Sequence, residues 1–297
     1  MTQKHLLPYA AVLIFLSSCS HSYYSPNTAN VPVFKEKNEF RASASAALSQ
    51  VSGGDFQAAY APTRCIGVLA NANVNGYGTI PTSGGRGYLI ELGAGYFRPL
   101  HVNTKHAQNV IVFETYGLVG LGGSKGFYWN NSGVVPTTNI FGQRDSQQFF
   151  YPYNCITMQY FKAYAQPSIS FSHNVVDLVF AAKIGFLYTY KFNSTIPGLT
   201  GASVSPDQGQ FQLGTPYSDY QTLIYNRAPF LFEPSFTIRL GFKWVKFQGQ
   251  ICYGVTRNRF MQNVAGLPFL TSIGVSVDIA HRFKKQPPHP SGNEIDY

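Results

Sequence analysis

Charge is scarce in this chain. Only 12% of its 297 residues are Asp, Glu, Lys or Arg, about half the share of an ordinary soluble domain. That argues against a typical cytosolic enzyme. Long apolar runs are missing as well. No stretch of about 20 apolar residues occurs, so a membrane-spanning helix is excluded. The chain is not a solvated disordered segment either, because such segments are rich in charge and poor in aromatics. The Gly-rich stretch 117–126 (GLVGLGGSKG) lacks the GK[ST] ending of a phosphate loop. What fills the gap is 28 Gly, 20 Tyr and 24 Phe, with a mean hydropathy of only −0.08. Strands that alternate one apolar residue with one polar residue produce this balance.

The amino-terminal residues stand apart. Lys4 precedes an apolar stretch 6–16 (LLPYAAVLIFL) that is too short to span a bilayer and contains Pro8. This is the form of a secretory signal. It closes on Leu16-Ser17-Ser18-Cys19, which resembles the lipobox of bacterial lipoproteins. The resemblance implies a signal peptide over 1–18 and acyl (palmitate-type) chains on Cys19. Ser20, rather than an Asp, follows the cysteine, and by the same resemblance this favours the outer membrane. Residues 20–37 (SHSYYSPNTANVPVFKEK) are rich in Ser, Asn and Pro and carry no period. The expectation for 19–37 is a periplasmic tether, spanning at most about 60 Å when extended.

From residue 38 onward the pattern repeats every second residue. In 175–192, Val176, Leu178, Phe180, Ala182, Ile184, Phe186, Tyr188, Tyr190 and Phe192 share one face, with Asp177, Lys183 and Lys191 on the other. Period two means strand. The length exceeds the 5–6 residues usual in soluble sheets and the roughly 9–11 a tilted strand needs to cross a membrane. The pattern returns in 88–97, 160–172, 229–242, 244–255 and 271–283, and less cleanly in 39–48, 55–61, 64–75 and 108–123. Over 110–121 both faces are apolar apart from Glu114 and Thr115, and Glu114 is assigned inward. The connections Pro62-Thr63, 99–107, His173-Asn174 and Lys243 are short. Those at 76–87, 124–157, 193–228 and 256–270 are long, with Val51–Gly54 a short exception. Short turns on one side, longer loops on the other and an even strand count are the grammar of an outer-membrane barrel.

The chain therefore resembles the small bacterial outer-membrane β-barrels of the OmpA-like transmembrane class, with a lipoprotein-type signal added. The last strand (SIGVSVDIAHRF) ends on an aromatic, as does the strand that the barrel-assembly machinery recognises in that class. The resemblance implies an all-β fold: a single antiparallel up-and-down transmembrane barrel of about 10 strands over 38–283, with a periplasmic tail at 284–297. Eight strands is the alternative if Pro62-Thr63 is not a turn. The implied location is the outer membrane, with the lipid anchor on the periplasmic side. No peptidoglycan-binding domain of the OmpA type is expected in the tail.

Charges on the polar faces belong inside, because Arg or Lys facing lipid near the midplane costs about 2–4 kcal/mol. The acids are Glu39, Glu91, Glu114, Asp177, Glu233 and Asp278. The bases are Arg41, Lys162, Lys183, Arg239, Lys246 and Arg282. Equal numbers of each sign predict an ion-paired network filling a narrow lumen. The functional expectation is a structural or surface-interaction protein with a largely closed lumen. The alternative is a narrow channel or small-ligand transporter.

No enzyme, cofactor or metal is expected. The long connections hold Asp145, Asp207 and Asp219 but no histidine, and His101 and His106 lack further ligands. Once Cys19 is acylated, Cys65, Cys155 and Cys252 form an odd set, which does not suggest a disulfide framework. The basic balance (pI about 9.3) is spread along strands rather than gathered into a nucleic-acid patch. Expected partners are outer-membrane lipids, lipopolysaccharide phosphates at Arg257 and Arg259, the barrel-assembly machinery, and an unknown surface or periplasmic protein. The aromatic loops, such as Phe149-Phe150-Tyr151, form a girdle, a packed mouth or a recognition surface.

Overall fold

A computed structural model describes residue 24 and residues 26–48, 51–77, 83–104, 107–128, 134–138, 144–148, 154–173, 175–194, 228, 230–242, 244–256 and 269–279. The strands are β1 (Phe40–Leu48), β2 (Val51–Tyr60), β3 (Ile66–Tyr77), β4 (Ser83–Thr104), β5 (Ala107–Tyr128), β6 (Val134–Thr138), β7 (Arg144–Gln148), β8 (Asn154–Ser172), β9 (Val176–Ser194), β10 (Phe230–Gly241), β11 (Val245–Tyr253), β12 (Val255–Thr256) and β13 (Phe269–Asp278). Each barrel strand pairs antiparallel with its sequence neighbour, and β12 continues β11 beyond Gly254. β13 closes the sheet on β1, with Arg41 opposite Asp278 and Ala47 opposite Ser272. The result is a closed ten-stranded antiparallel barrel. β6 and β7 form a small separate ribbon within the β5–β8 connection.

Ten strands rather than eight follow from the bend at 62–65, which separates β2 from β3. Several boundaries differ from the sequence reading. Val51–Gly54 is part of β2, opposite Gly76 and its neighbours, and not a connection. β4 and β5 pair without a break down to Thr104 and Ala107. The expected turn over 99–107 is therefore mostly strand, and His101 lies in the ladder opposite Val110. The polar and proline positions there interrupt the alternation without interrupting the backbone pairing. Cys155, expected in a loop, is in β8 opposite Phe127. The end of the barrel that carries the bends at 62–65, His173-Asn174 and Phe242–Trp244 is here called the turn end. The opposite end, with the connections 129–153, 195–229 and 257–268, is the loop end.

The barrel is inside out relative to a soluble protein. Phe56, Ile90, Leu92, Leu121, Phe180, Phe247 and Ile273 face outward and are exposed. Exposed aromatics flank them: Tyr60, Tyr96, Phe242 and Trp244 toward the turn end, and Tyr88, Tyr188 and Tyr190 toward the loop end. Glu91, Lys162, Asp177, Lys183, Glu233 and Arg239 are buried inside.

Candidate functional site in the lumen

The lumen holds a segment of the chain itself. Residues 26–34 are buried throughout, and Asn27, Val31, Val33 and Phe34 have no exposed surface. The free tether expected for 19–37 is corrected for these residues: Tyr24 and 26–34 run inside the barrel. Residues 19–23, Cys19 included, lie outside the described residues. Asn38, at φ 65°, reverses the chain from this segment into β1, and its N–H donates to the Ala61 carbonyl at 2.7 Å.

The segment forms no strand ladder with the wall. Wall side chains bind its backbone instead. Gln250 Oε1 accepts from the Ala29 N–H at 3.1 Å, and Gln250 Nε2 donates to the Ala29 carbonyl at 3.3 Å. Gln166 donates to the Asn30 carbonyl at 2.8 Å, and Arg239 Nη2 to that of Val31 at 2.8 Å. Lys183 Nζ donates to the carbonyls of Asn27 and Thr28. Buried polar groups need partners, and here the amides and charges of the wall and the amides of the segment supply one another.

Two apolar seats fix its register. Ala29, Val31 and Val33 pack on Val110, Val112, Val179 and Ala181. Phe34 packs among Ala59, Ala61, Leu69, Phe97, Tyr116 and Leu118. This explains why 110–121 is apolar on both faces: the inner one receives the segment. Gly67 makes room, since a Cβ there would stand 2.9 Å from both the Phe34 ring and the Tyr116 hydroxyl oxygen. Within the Gly-rich stretch 117–126, Gly122 leaves room for the Tyr160 ring, which lies 2.5 Å from where its Cβ would be.

Glu114 is the turn-end clamp. Val33 has φ 58°, rare for a β-branched residue. This turns two successive N–H groups to one side. Glu114 Oε2 accepts from Val33 N at 3.1 Å, and Oε1 accepts from Phe34 N at 3.2 Å and from the Tyr116 hydroxyl at 3.1 Å. Successive amides on one anion form a nest. Replacing Glu114 with Ala leaves these buried donors unanswered. The expected loss of unfolding free energy is about 2–5 kcal/mol, measured by urea titration in detergent with Trp fluorescence. A loss under about 1 kcal/mol, within surface-substitution range, would show that Glu114 does not hold the segment.

The predicted charges separate into two groups. Midway along the lumen, Lys162 Nζ stands 3.1 Å from Glu233 and 3.6 Å from Glu91, and Lys183 Nζ 3.7 Å from Glu233. Asn27 sits among them: it donates to Glu91 Oε2 at 2.7 Å and accepts from Lys183 at 2.7 Å and Lys162 at 3.2 Å. The Tyr24 hydroxyl donates to Glu233 Oε1 at 2.6 Å. Nearer the turn end, Lys246 pairs with Asp177 at 2.7 Å and Arg41 with Asp278 at 3.6 Å. Glu39 accepts from Lys35 N at 3.0 Å. Glu114 and Arg239 serve the segment's backbone. Arg282, Arg257 and Arg259 lie outside the described residues.

No family model, curated protein or solved structure matches this chain. The site must therefore be read from its own chemistry. Among the described residues, no group of three or more His, Cys, Asp or Glu could hold a metal ion. Cys65 and Cys252 are free, Cys252 being buried on the inner face of β11. Sequence reasoning did not find the segment, although a signal was present. The inward faces carry Gln57, Asn71, Gln166, Gln248 and Gln250, side chains that both donate and accept and so can bind a peptide backbone. Val31, Val33 and Phe34 are too apolar for a solvated tether.

Proposed function

We propose that the chain is a bacterial outer-membrane barrel lipoprotein, anchored through Cys19 and closed by its own amino-terminal segment, with a structural or surface-interaction role carried by its long connections. The observation that carries this reading is the inverted exterior. An apolar surface this continuous on a soluble monomer would be a liability. Eight residues separate Tyr88 from Tyr96 on β4. At about 3.3 Å per residue and a tilt near 40°, the two aromatic rims are about 20 Å apart, close to the roughly 25 Å apolar band of such barrels. In this reading the loop end faces outward, Arg257 and Arg259 meet lipopolysaccharide phosphates, and the connections 129–153 and 195–229 meet a partner.

Membrane extraction tests it. The protein is expected to stay with outer-membrane fractions through carbonate washing, and to migrate faster on gels when unheated. Palmitate labelling is expected to vanish in Cys19→Ala. A mature chain that is folded and monomeric in detergent-free buffer would overturn the reading. A second reading, a narrow gated channel, is favoured by one feature. The segment in the lumen is held by side chains rather than by strand pairing, so it is separable from the wall.

A further inference from the structure

We infer that the lumen segment is threaded from the loop end, so that Tyr24 leads out of the barrel on the side opposite the one where β1 begins and β13 ends. This rests on the outer-membrane reading above and goes beyond the expected periplasmic anchor.

An even-stranded barrel ordinarily brings both of its ends to one side. β1 begins and β13 ends at the turn end, opposite each other at Arg41 and Asp278. The lumen segment changes this. Read backward from β1, it starts beside Glu39, where Lys35 N is bound, and passes Glu114 at Phe34. It ends at Tyr24.

Tyr24 lies between the midway cluster and the loop-end rim. Its ring packs edge-on against Tyr160 with centroids 5.8 Å apart. The Tyr160 hydroxyl donates to the backbone carbonyl of Tyr88 at 3.5 Å, and Tyr88 belongs to the loop-end aromatic rim. The route back to the turn end is filled by residues 26–34, of which Val31, Val33 and Phe34 are fully buried.

The test places one epitope tag between Ser20 and His21 and, in a separate full-length chain, another after Tyr297. In intact cells the first tag is expected to bind antibody, and the second only after permeabilisation. If the first tag is shielded like the second while the protein stays in outer-membrane fractions, the inference is overturned and the barrel reading stands. If the protein is recovered soluble, the barrel reading falls and takes the inference with it. Unheated gel migration checks that the tagged chains fold. Should the insertion prevent folding, Ser20→Cys read with an impermeant maleimide in a chain lacking Cys65, Cys155 and Cys252 gives the same two outcomes.

Discussion

Deleting residues 24–34 is expected to turn a closed barrel into a conducting one. In planar bilayers the full chain should show no resolved steps, and the deleted chain stable ones. The vacated path would be lined by Glu91, Glu233, Lys162 and Lys183, which now converge on Tyr24 and Asn27. Water would take over the hydrogen bonds that Gln166, Gln250 and Arg239 make to the segment. The deletion also removes Val31, Val33 and Phe34 from their apolar seats, at about 1.5–3 kcal/mol for each fully buried side chain. A lower unfolding midpoint should accompany the conductance. A synthetic peptide covering 24–34, added to the deleted chain, is expected to block the steps. A folded deletion variant that stays silent would mean that side chains alone close the lumen, and that the segment is not its plug.

Glu233→Ala should be the most destabilising point substitution in the lumen. Glu233 is fully buried and holds Lys162 at 3.1 Å, Lys183 at 3.7 Å and the Tyr24 hydroxyl at 2.6 Å. Its removal leaves two buried ammonium groups with Glu91 as the remaining acid, 3.6 Å from Lys162. Taking one partner from a buried pair costs about 3–5 kcal/mol. Asp278→Ala is the control. Its pair with Arg41 is longer, at 3.6 Å, and keeps 13% of both side chains exposed, so a smaller loss than for Glu233→Ala is expected. Unfolding in detergent or liposomes compares the two. Equal losses would show that the midway cluster has no special role.

The wall of the barrel was legible because period-two alternation is a local signal. Phe236, Ile238 and Leu240 against Thr237 and Arg239 state the two faces of β10 before any partner is known. The inward assignments of Glu91, Glu114, Lys162, Asp177, Lys183 and Glu233 follow from the cost of charge in hydrocarbon, and all six are buried. The strand limits were less legible. Pro99 and His101 break the alternation while the β4–β5 ladder continues to Thr104.

The plug left no period to read. A segment without a ladder has no alternation of its own, and its partners are remote: Tyr24 meets Glu233 across 209 positions, and Ala29 meets Gln250 across 221. Of the charges assigned to the lumen, Glu91, Lys162, Lys183, Glu233, Asp177, Lys246, Arg41 and Asp278 are ion-paired, while Glu39, Glu114 and Arg239 bind backbone groups and Arg282 lies outside the described residues. Equal counts of acids and bases cannot say that Arg239 and Glu114 bind backbone rather than each other.

The sequence by itself determined a closed sheet of alternating strands with charge inside and hydrocarbon-compatible surface outside, because each residue's face follows from its immediate neighbours. Only the tertiary structure decided what fills the interior. That choice depends on which distant side chains stand across the lumen from residues 24–34, and the pattern within a single strand does not encode it.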